Sequence, residues 1–278
     1  MRLYGREFKV SQLMKVSSLL SMSASPLFFR ALMKGPLVAF EYSWKSLEVY
    51  REVAGDTDIP VSSLSGLGVA GNEKIWIDLS EPSSEMTGSE LAQLCCLARW
   101  KNPAVVVEIG TCKGFTTMHL SRNTSDDCRI FTVDLPPGAA DGRSAEFSDP
   151  QLIRSSARTE RAFGSDPKIT QILQDSTTVE WGKVLNAPVD LALVDASHLY
   201  EHVRKDTEAV MRVLSPNGIV VWHDYRPVEI RRGVKKYLDE LYRKGLPLKR
   251  IAESSFCIYQ RSAADDLVSL LGVIPCNE

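Results

Sequence analysis

The stretch VVVEIGTCKG at residues 105–114 decides the fold. It joins a short apolar β-rich run to a helix that we predict from Phe115 to Leu120. Gly110 and Gly114 let the backbone turn sharply and let a ligand lie against it without a Cβ in the way. In an open α/β sheet the ligand crevice lies at the carboxyl ends of the strands, where this loop falls. The stretch therefore predicts a ligand-binding loop at the edge of a sheet.

Apolar β-rich runs alternate with helical stretches along most of the chain. The runs lie at residues 105–107, 130–133, 169–173, 191–194 and 219–222. Helical stretches lie between most of them, as at 199–214, and a helix capped by Ser89 runs to about Trp100. Such near-continuous apolar strands are typical of a parallel sheet covered on both faces. Because two last runs, at 248–252 and 256–259, can pair as a hairpin, we predict a doubly wound α/β fold whose mostly parallel, seven-stranded sheet has an antiparallel end.

The first part of the chain has a different pattern. Residues 11–20 and 37–53 carry apolar residues at helical spacing, separated by proline and glycine breaks. We predict a helical accessory segment over residues 1–80, which would serve as a lid or as a dimerisation segment of a homo-oligomer. Residues 81–278 would form the main domain. Within it, the long connection at 136–167 is a second candidate lid.

Composition narrows the classes of partner. The net charge is -2 and 24% of the residues are charged, so no basic field attracts nucleic acid or an anionic membrane. The chain has no run near the roughly 18 to 20 apolar residues of a membrane span, and no clear signal peptide. Its six cysteines form no C-x-x-C pair and predict reduced thiols. We therefore expect a cytoplasmic protein with no nucleic-acid or membrane partner.

Asp134 strengthens the ligand-binding interpretation of the glycine loop. It ends the second apolar run, at a distance from Gly110 similar to that of the acid in dinucleotide-binding folds. A carboxylate there can accept hydrogen bonds from ribose hydroxyls, although an acid that caps the following turn is the alternative. NAD is the main competing ligand. Its pyrophosphate requires G-x-G-x-x-G, whereas Thr-Cys-Lys separates Gly110 from Gly114 here.

The loop and Asp134 together resemble motif I of class I S-adenosylmethionine (SAM)-dependent methyltransferases. The resemblance implies a Rossmann-like sheet with SAM as cofactor. Gln174-Asp175-Ser176, after the third run, resembles the position that contacts adenine in that superfamily, with a solvated turn as the alternative. The candidate cofactor-binding residues are Glu108, Gly110, Thr111, Gly114, Asp134, Asp175, Ser176 and Asp195.

A second cluster of chemically active residues follows the fourth and fifth runs. Asp195 begins the segment DASHLYEH, and His223-Asp224 follows the fifth run, so these side chains should face one crevice. Two carboxylates and an imidazole are suitable ligands for a divalent metal, and carboxylates favour Mg²⁺ or Mn²⁺. His198 is placed to take a proton from an attacking hydroxyl. The alternatives are that His198 caps its helix and that His223 is a core histidine.

This constellation resembles the metal-dependent sugar and natural-product O-methyltransferases of the macrocin and mycinamicin type. In that family an Asp after strand four and an acidic pair after strand five hold Mg²⁺, and a His three residues after the first Asp is the base. Asp195, Asp224 and His198 match the pattern. His223 stands where the family usually has an acid, which shifts the preference towards a transition metal. The resemblance covers about residues 85–261.

The sequence thus predicts O-methylation of a hydroxyl on a small molecule, with a sugar or polyhydroxylated natural product as acceptor. Asp195 and His198 are the candidate catalytic residues; Asp195, His223 and Asp224 are the candidate metal ligands. A metal-independent O- or N-methyltransferase is one alternative. Another is a non-methylating enzyme on the same SAM-binding scaffold. An RNA methyltransferase is disfavoured by the net charge.

Overall fold

The chain divides into two compact units. The computed structural model describes residues 2–3, 6–7, 59–69, 71, 73–78, 86–136, 162–225, 232–262, 265 and 267–272. One unit comprises Met1–Thr57 with Pro227–Glu229, and the other comprises Asp58–Arg226 with Ile230–Glu278. In the first unit, β1 (Arg2–Leu3) and β2 (Arg6–Glu7) pair as an antiparallel hairpin. The helices predicted at 11–20 and 37–53 lie outside the described residues, as does most of the segment 136–167.

The second unit is built on a mostly parallel sheet. Its described strands are β3 (Val61–Ser62), β4 (Val105–Ile109), β5 (Arg129–Asp134), β6 (Ile169–Leu173), β7 (Val189–Val194), β8 (Leu214–Trp222), β9 (Lys249–Ile251) and β10 (Cys257–Gln260). They lie in the order β3-β9-β10-β8-β7-β4-β5-β6. Strands β4 to β8 pair in parallel, and β10 pairs antiparallel with β8 and with β9. The predicted parallel sheet with an antiparallel end is therefore confirmed.

The sheet has one strand more than the seven predicted. The additional strand, Val61–Ser62, pairs in parallel with β9 at the sheet edge. Two residues are too few to show the alternation by which a strand is recognised in a sequence. The unit that holds the sheet begins at Asp58.

Helices follow the strands in the predicted alternation. They are α1 (Gly88–Lys101), α2 (Phe115–Arg122), α3 (Trp181–Val184), α4 (Tyr200–Val213), α5 (Arg232–Arg243) and α6 (Leu267–Leu271). The N-cap of α1 is Thr87 rather than the predicted Ser89, because Thr87 and Glu90 form a reciprocal capping box. Among the described helices, none has the length and apolar character that crossing a bilayer requires.

Both faces of the sheet are buried. Along β4, Val105, Val107 and Ile109 pack into one apolar cluster, which also receives side chains of α4 and α5. Val106 packs into the other cluster, which receives side chains of α1. Successive side chains of a strand point to opposite faces, so one apolar strand contributes to two cores. This explains why β4 is apolar almost throughout.

The topology creates a crevice beside β4. This strand pairs with β5 on one side and with β7 on the other. The chain proceeds from β4 to β5 and β6, and then returns to the opposite side for β7 and β8. Such a reversal is the switch point at which open α/β sheets bind ligands. The carboxyl ends of β4, β5, β7 and β8 meet at this edge.

Candidate functional site at the carboxyl edge of the sheet

The glycine loop begins at the carboxyl end of β4, and both of its glycines have a positive φ. Gly110 has a φ of 107° and Gly114 a φ of 74°, both in the region that favours glycine. A Cβ on Gly110 would lie 2.1 Å from the carbonyl oxygen of Asp195. The ends of β4 and β7 are further joined by the Asp195 N–H, which donates to the Ile109 carbonyl at 2.8 Å. Gly110 therefore allows the two strand ends to approach each other.

Glu108 lies beneath this loop in the core. Its side chain is fully buried and accepts hydrogen bonds from the hydroxyls of Thr117 on α2 and Thr132 on β5. Thr111 extends the network, since its hydroxyl lies 2.6 Å from that of Thr132, and it is itself buried. Burial raises the pKa of Glu108 to about 8, although the two threonine hydrogen bonds oppose this shift. Glu108 and Thr111 thus support the loop from below, while Gly110 and Gly114 form its backbone turns.

Asp134 connects the end of β5 to the same loop. One carboxylate oxygen accepts the Cys112 N–H at 2.7 Å, and the other accepts the Leu135 N–H at 2.8 Å. Cys112 has a φ of 46°, so its amide is directed by an uncommon left-handed conformation. Asp134 is partly exposed at the sheet edge. It therefore shapes the loop and also presents a carboxylate next to it.

Asp175 and Ser176 begin a short 3-10 helix after β6. Asp175 is exposed, and its carboxylate accepts hydrogen bonds from the backbone N–H and the hydroxyl of Thr177. Ser176 hydrogen bonds to Asp206 on α4, a buried carboxyl whose pKa is raised to about 7 by its burial. These local hydrogen bonds are those of a turn. A solvated turn was the alternative to an adenine-contacting position at Asp175 and Ser176.

Three predicted ligand residues converge at the ends of β7 and β8. Asp195, His223 and Asp224 offer one ligand atom each, and these atoms lie within 4.8 Å of one another. Nδ1 of His223 is 3.0 Å from Oδ1 of Asp195 and 3.6 Å from Oδ1 of Asp224. Asp224 has a φ of 61°, a strained conformation of the kind that clusters at functional sites. The sequence placed these side chains in one crevice, and the structure brings them together.

The imidazole of His223 is surrounded by acidic groups. Its burial lowers its pKa, but the charge and hydrogen bond of Asp195, the contact with Glu90 and the charge of Asp224 raise it to about 10. Glu90, at the start of α1, places Oε2 at 3.6 Å from Nε2 of His223. Burial raises the pKa of Glu90, but the contact with His223 and the hydrogen bonds from Ser255 and Thr87 outweigh this and lower it well below its usual range. Glu90 is therefore an ionised carboxylate in the core.

His198 approaches the cluster from the start of α4. Its Nε2 is 2.9 Å from Oδ2 of Asp224, and its side chain is 16% exposed. The first turn of α5 packs against this segment: a Cβ on Gly233 would lie 2.2 Å from the His198 carbonyl oxygen and 2.3 Å from the Tyr200 nitrogen. The position of His198 therefore depends on the close approach of Gly233.

The other two histidines lie elsewhere. His119 is fully buried on α2, where Nδ1 bonds the Phe115 carbonyl at 2.8 Å and Nε2 accepts the Asp78 N–H at 3.0 Å. These contacts give His119 a structural role. His202 lies further along α4, and the described ion pairs and hydrogen bonds join its side chain to none of the cluster.

Two residues near the site were missed from the sequence. Glu90 is not among the candidate site residues, although the T-x-x-E spacing of Thr87 and Glu90 signals a capping box. Its contact with His223 crosses from α1 to β8, so no local pattern encodes it. Gly233 was also missed, because the backbone that it approaches lies on another helix.

Comparison with known proteins agrees with this geometry. Residues 107–225 match the family model of a methyltransferase domain, a range that contains the glycine loop, Asp134 and the cluster up to Asp224. The chain is also 27% identical over 144 residues to an uncharacterized protein, y4gI, of Sinorhizobium fredii. That match covers 50% of this chain but only 15% of the length of the relative.

Similar solved structures include three methyltransferases. The O-methyltransferase TomG of Streptomyces achromogenes, in complex with SAM, is 15% identical, with a TM-score of 0.47 over 68% of this chain and 92% of TomG. The methyltransferase PaMTH1 of Podospora anserina, bound to SAH, is 16% identical, with a TM-score of 0.49 over 72% of this chain and 94% of PaMTH1. An O-methyltransferase of Bacillus cereus is 15% identical, with a TM-score of 0.43 over 64% of this chain and 83% of that protein.

Replacement of Gly110 by alanine tests the close approach of β4 and β7. We expect Gly110→Ala to weaken SAM binding at least tenfold, because the new Cβ would overlap the Asp195 carbonyl and displace the loop. Isothermal titration calorimetry with SAM measures the effect. Gly182→Ala on α3 is the matched control, since a Cβ there meets nothing within 4 Å. An unchanged affinity in Gly110→Ala would contradict this role for the glycine.

Replacement of Glu108 by glutamine tests its buried, protonated state. The folded pKa of about 8 lies above the usual value of 4.5, so unfolding releases a proton between these values. This carboxyl therefore lowers the free energy of unfolding as the pH rises from 4.5 to 8, and Glu108→Gln should gain stability relative to the wild type over that range. Urea unfolding of both proteins at several pH values measures this. A stability difference that does not change with pH would contradict it.

Proposed function

We propose that this chain is a SAM-dependent methyltransferase and that it transfers the methyl group of SAM to a hydroxyl of a small molecule, such as a sugar or polyhydroxylated natural product. One observation carries the proposal: the backbone of Gly110 lies against that of Asp195, and Asp195 belongs to the cluster that His198 approaches. A cofactor held by the loop and an acceptor held by the cluster would therefore be neighbours. Such proximity is the main requirement of a single displacement between two bound molecules.

The cofactor would lie over the turn from Gly110 to Gly114, with its ribose at Asp134. Absence of a Cβ at Gly114 leaves the backbone accessible to a ligand, while Gly110 brings the loop against the end of β7. The Asp134 carboxylate is partly exposed at the sheet edge, and a carboxylate is a suitable acceptor for ribose hydroxyls. Adenine would lie towards Asp175 and Ser176, at the end of β6.

The cluster fits a divalent metal ion. Two carboxylate oxygens and one imidazole nitrogen converge, and the second nitrogen of His223 faces the Glu90 carboxylate, an arrangement that is usual around metal-binding histidines. A bound metal would hold the acceptor oxygens and lower the pKa of the reacting hydroxyl. Because one ligand is imidazole, we propose Mn²⁺ or another transition metal ahead of Mg²⁺.

His198 would act as the general base. Asp224 accepts a hydrogen bond from Nε2–H in the tautomer that we assign, and none of the described residues bonds Nδ1. Nδ1 can then take the proton of the acceptor hydroxyl as its oxygen attacks the methyl carbon and the sulfur of SAM leaves. Orientation of a histidine by a carboxylate is a common arrangement for such a base.

A metal-independent methyltransferase is the second candidate. The ion pairs of His223 with Asp195 and Asp224 favour it, because an imidazolium can neutralise the two carboxylates in place of a metal. In this case Asp195 would position the acceptor by direct hydrogen bonds, and His198 would keep its role.

Replacement of His198 tests the base. We expect His198→Asn to reduce kcat by about 10²- to 10⁴-fold, the usual contribution of a general base, and to leave the Kd for SAM within about twofold. SAH formation is measured with an acceptor selected from a panel of sugars and polyhydroxylated compounds. His202→Asn on the same helix is the control and should retain its kcat. A near-normal kcat in His198→Asn would exclude the residue as the base.

Metal removal separates the two candidates. We expect a chelator to abolish turnover and Mn²⁺ to restore it, and we expect Asp195→Asn to weaken Mn²⁺ binding at least tenfold in calorimetric titrations. Glu180→Gln is the control, because that carboxylate is exposed and its one ion pair among the described residues is with Lys183. Full turnover by the chelator-treated enzyme, together with no Mn²⁺ binding, would favour the metal-independent candidate.

A further inference from the structure

Glu90 has an unusually complete set of hydrogen-bond donors. Oε1 accepts the Ser255 N–H at 2.8 Å and the Ser255 hydroxyl at 2.7 Å. Oε2 accepts the Thr87 N–H at 2.9 Å and the Thr87 hydroxyl at 2.8 Å. The residue is 1% exposed. Four donors from two segments therefore fix both carboxylate oxygens in the core. Helix capping requires only the contacts with Thr87, so the two donors of Ser255 are additional.

The fixed carboxylate faces the back of His223. Oε2 of Glu90 is 3.6 Å from Nε2, an atom that is buried and has no hydrogen-bond partner among the described residues. The ring is 5.4 Å from that of Phe256, measured between centroids. The other nitrogen, Nδ1, faces Asp195 at 3.0 Å. The ring of His223 thus lies between Glu90 on one side and the candidate metal ligands on the other.

We propose that Glu90 is a positioning residue: its carboxylate, 3.6 Å from Nε2 of His223, attracts the Nε2–H and orients the ring, so that Nδ1 is presented to the metal between Asp195 and Asp224. The inference rests on the metal site of the proposed function and adds a residue to it. A carboxylate behind a ligating histidine fixes the orientation and tautomer of the ring and strengthens the remaining nitrogen as a ligand.

The same contact explains why this chain has a histidine at position 223. An acidic side chain there would face the ionised Glu90 carboxylate at close range without a donor between them, and two buried like charges repel strongly. Histidine presents an N–H to Glu90 and a lone pair to the metal. Glu90 and His223 therefore form a matched pair, and each restricts the residue at the other position.

Mn²⁺ affinity of the full-length protein tests the positioning role. Glu90→Gln places an amide NH₂ against a backbone N–H and removes the charge that faces His223. We expect its Kd for Mn²⁺ to rise 10- to 100-fold, with the Kd for SAM within about twofold. Ser255→Ala is the matched control: it removes one hydrogen bond from Oε1 and leaves Oε2 in place, so Mn²⁺ binding should change less than threefold. Wild-type affinity in Glu90→Gln, or an equal loss in Ser255→Ala, would overturn the proposal.

A double-mutant cycle tests the matched pair. His223→Asp alone should lose Mn²⁺ binding, because its carboxylate faces Glu90. The combined variant Glu90→Gln/His223→Asp should bind Mn²⁺ at least tenfold more tightly than the sum of the two single losses predicts. Additive losses would show that the two residues do not act together, and would overturn the proposal.

Nuclear magnetic resonance of the metal-free protein tests the role of Glu90 without requiring that a metal binds. Long-range ¹H–¹⁵N spectra of the wild type should show an Nε2–H signal of His223 that shifts in Glu90→Gln and does not shift in Ser255→Ala. If the wild type binds no Mn²⁺, the metal site of the proposed function fails, and these spectra still decide whether Glu90 orients the ring. An unprotonated Nε2, or signals that Glu90→Gln leaves unchanged, would overturn the role of Glu90.

Discussion

The close approach of two strand ends is the constraint on which the site depends. Gly110 at the end of β4 lies so near Asp195 at the end of β7 that a Cβ would be 2.1 Å from the Asp195 carbonyl oxygen. This contact lies at the point where the chain reverses its direction across the sheet. It places the glycine loop beside the acidic cluster. The glycine at position 110 therefore brings the proposed cofactor and acceptor sites together. Any side chain at 110 would separate them.

Buried carboxyl groups support the site from two sides, and their environments differ. Glu108 has two hydroxyl donors and an oxygen without a hydrogen-bond partner among the described residues, so burial raises its pKa to about 8. Glu90 has four donors and a histidine nearby, so its pKa is lowered. Burial, hydrogen bonds and nearby charges together decide the charge of a buried carboxyl. One acid is therefore a neutral member of a hydrogen-bond network beneath the loop, and the other is a fixed negative charge behind His223.

Position 223 is where this chain differs from the family that it resembles, and the structure shows what accompanies the difference. The resemblance implies an acidic pair after the fifth parallel strand, and this chain has one acid and one histidine there. The carboxylate of Glu90 on α1 lies behind that histidine. The replacement of an acidic ligand by a histidine at position 223 is thus accompanied by a carboxylate, Glu90, on α1. Asp224 joins the same cluster to His198, since its two oxygens face different histidines.

The sequence by itself determined the alternation of strands and helices, the glycine loop, Asp134 and the convergence of Asp195, His223 and Asp224. These features follow from local patterns, because apolar runs mark strands and parallel strands end at one edge. Only the tertiary structure decided the strand Val61–Ser62, the Gly233 contact with the His198 segment and the Glu90 contact with His223. Each joins residues that are distant in the chain, and the geometry that unites them arises only when helices pack on the sheet. Hydrophobic periodicity records which face of an element is buried, but it does not record which polar group that face meets.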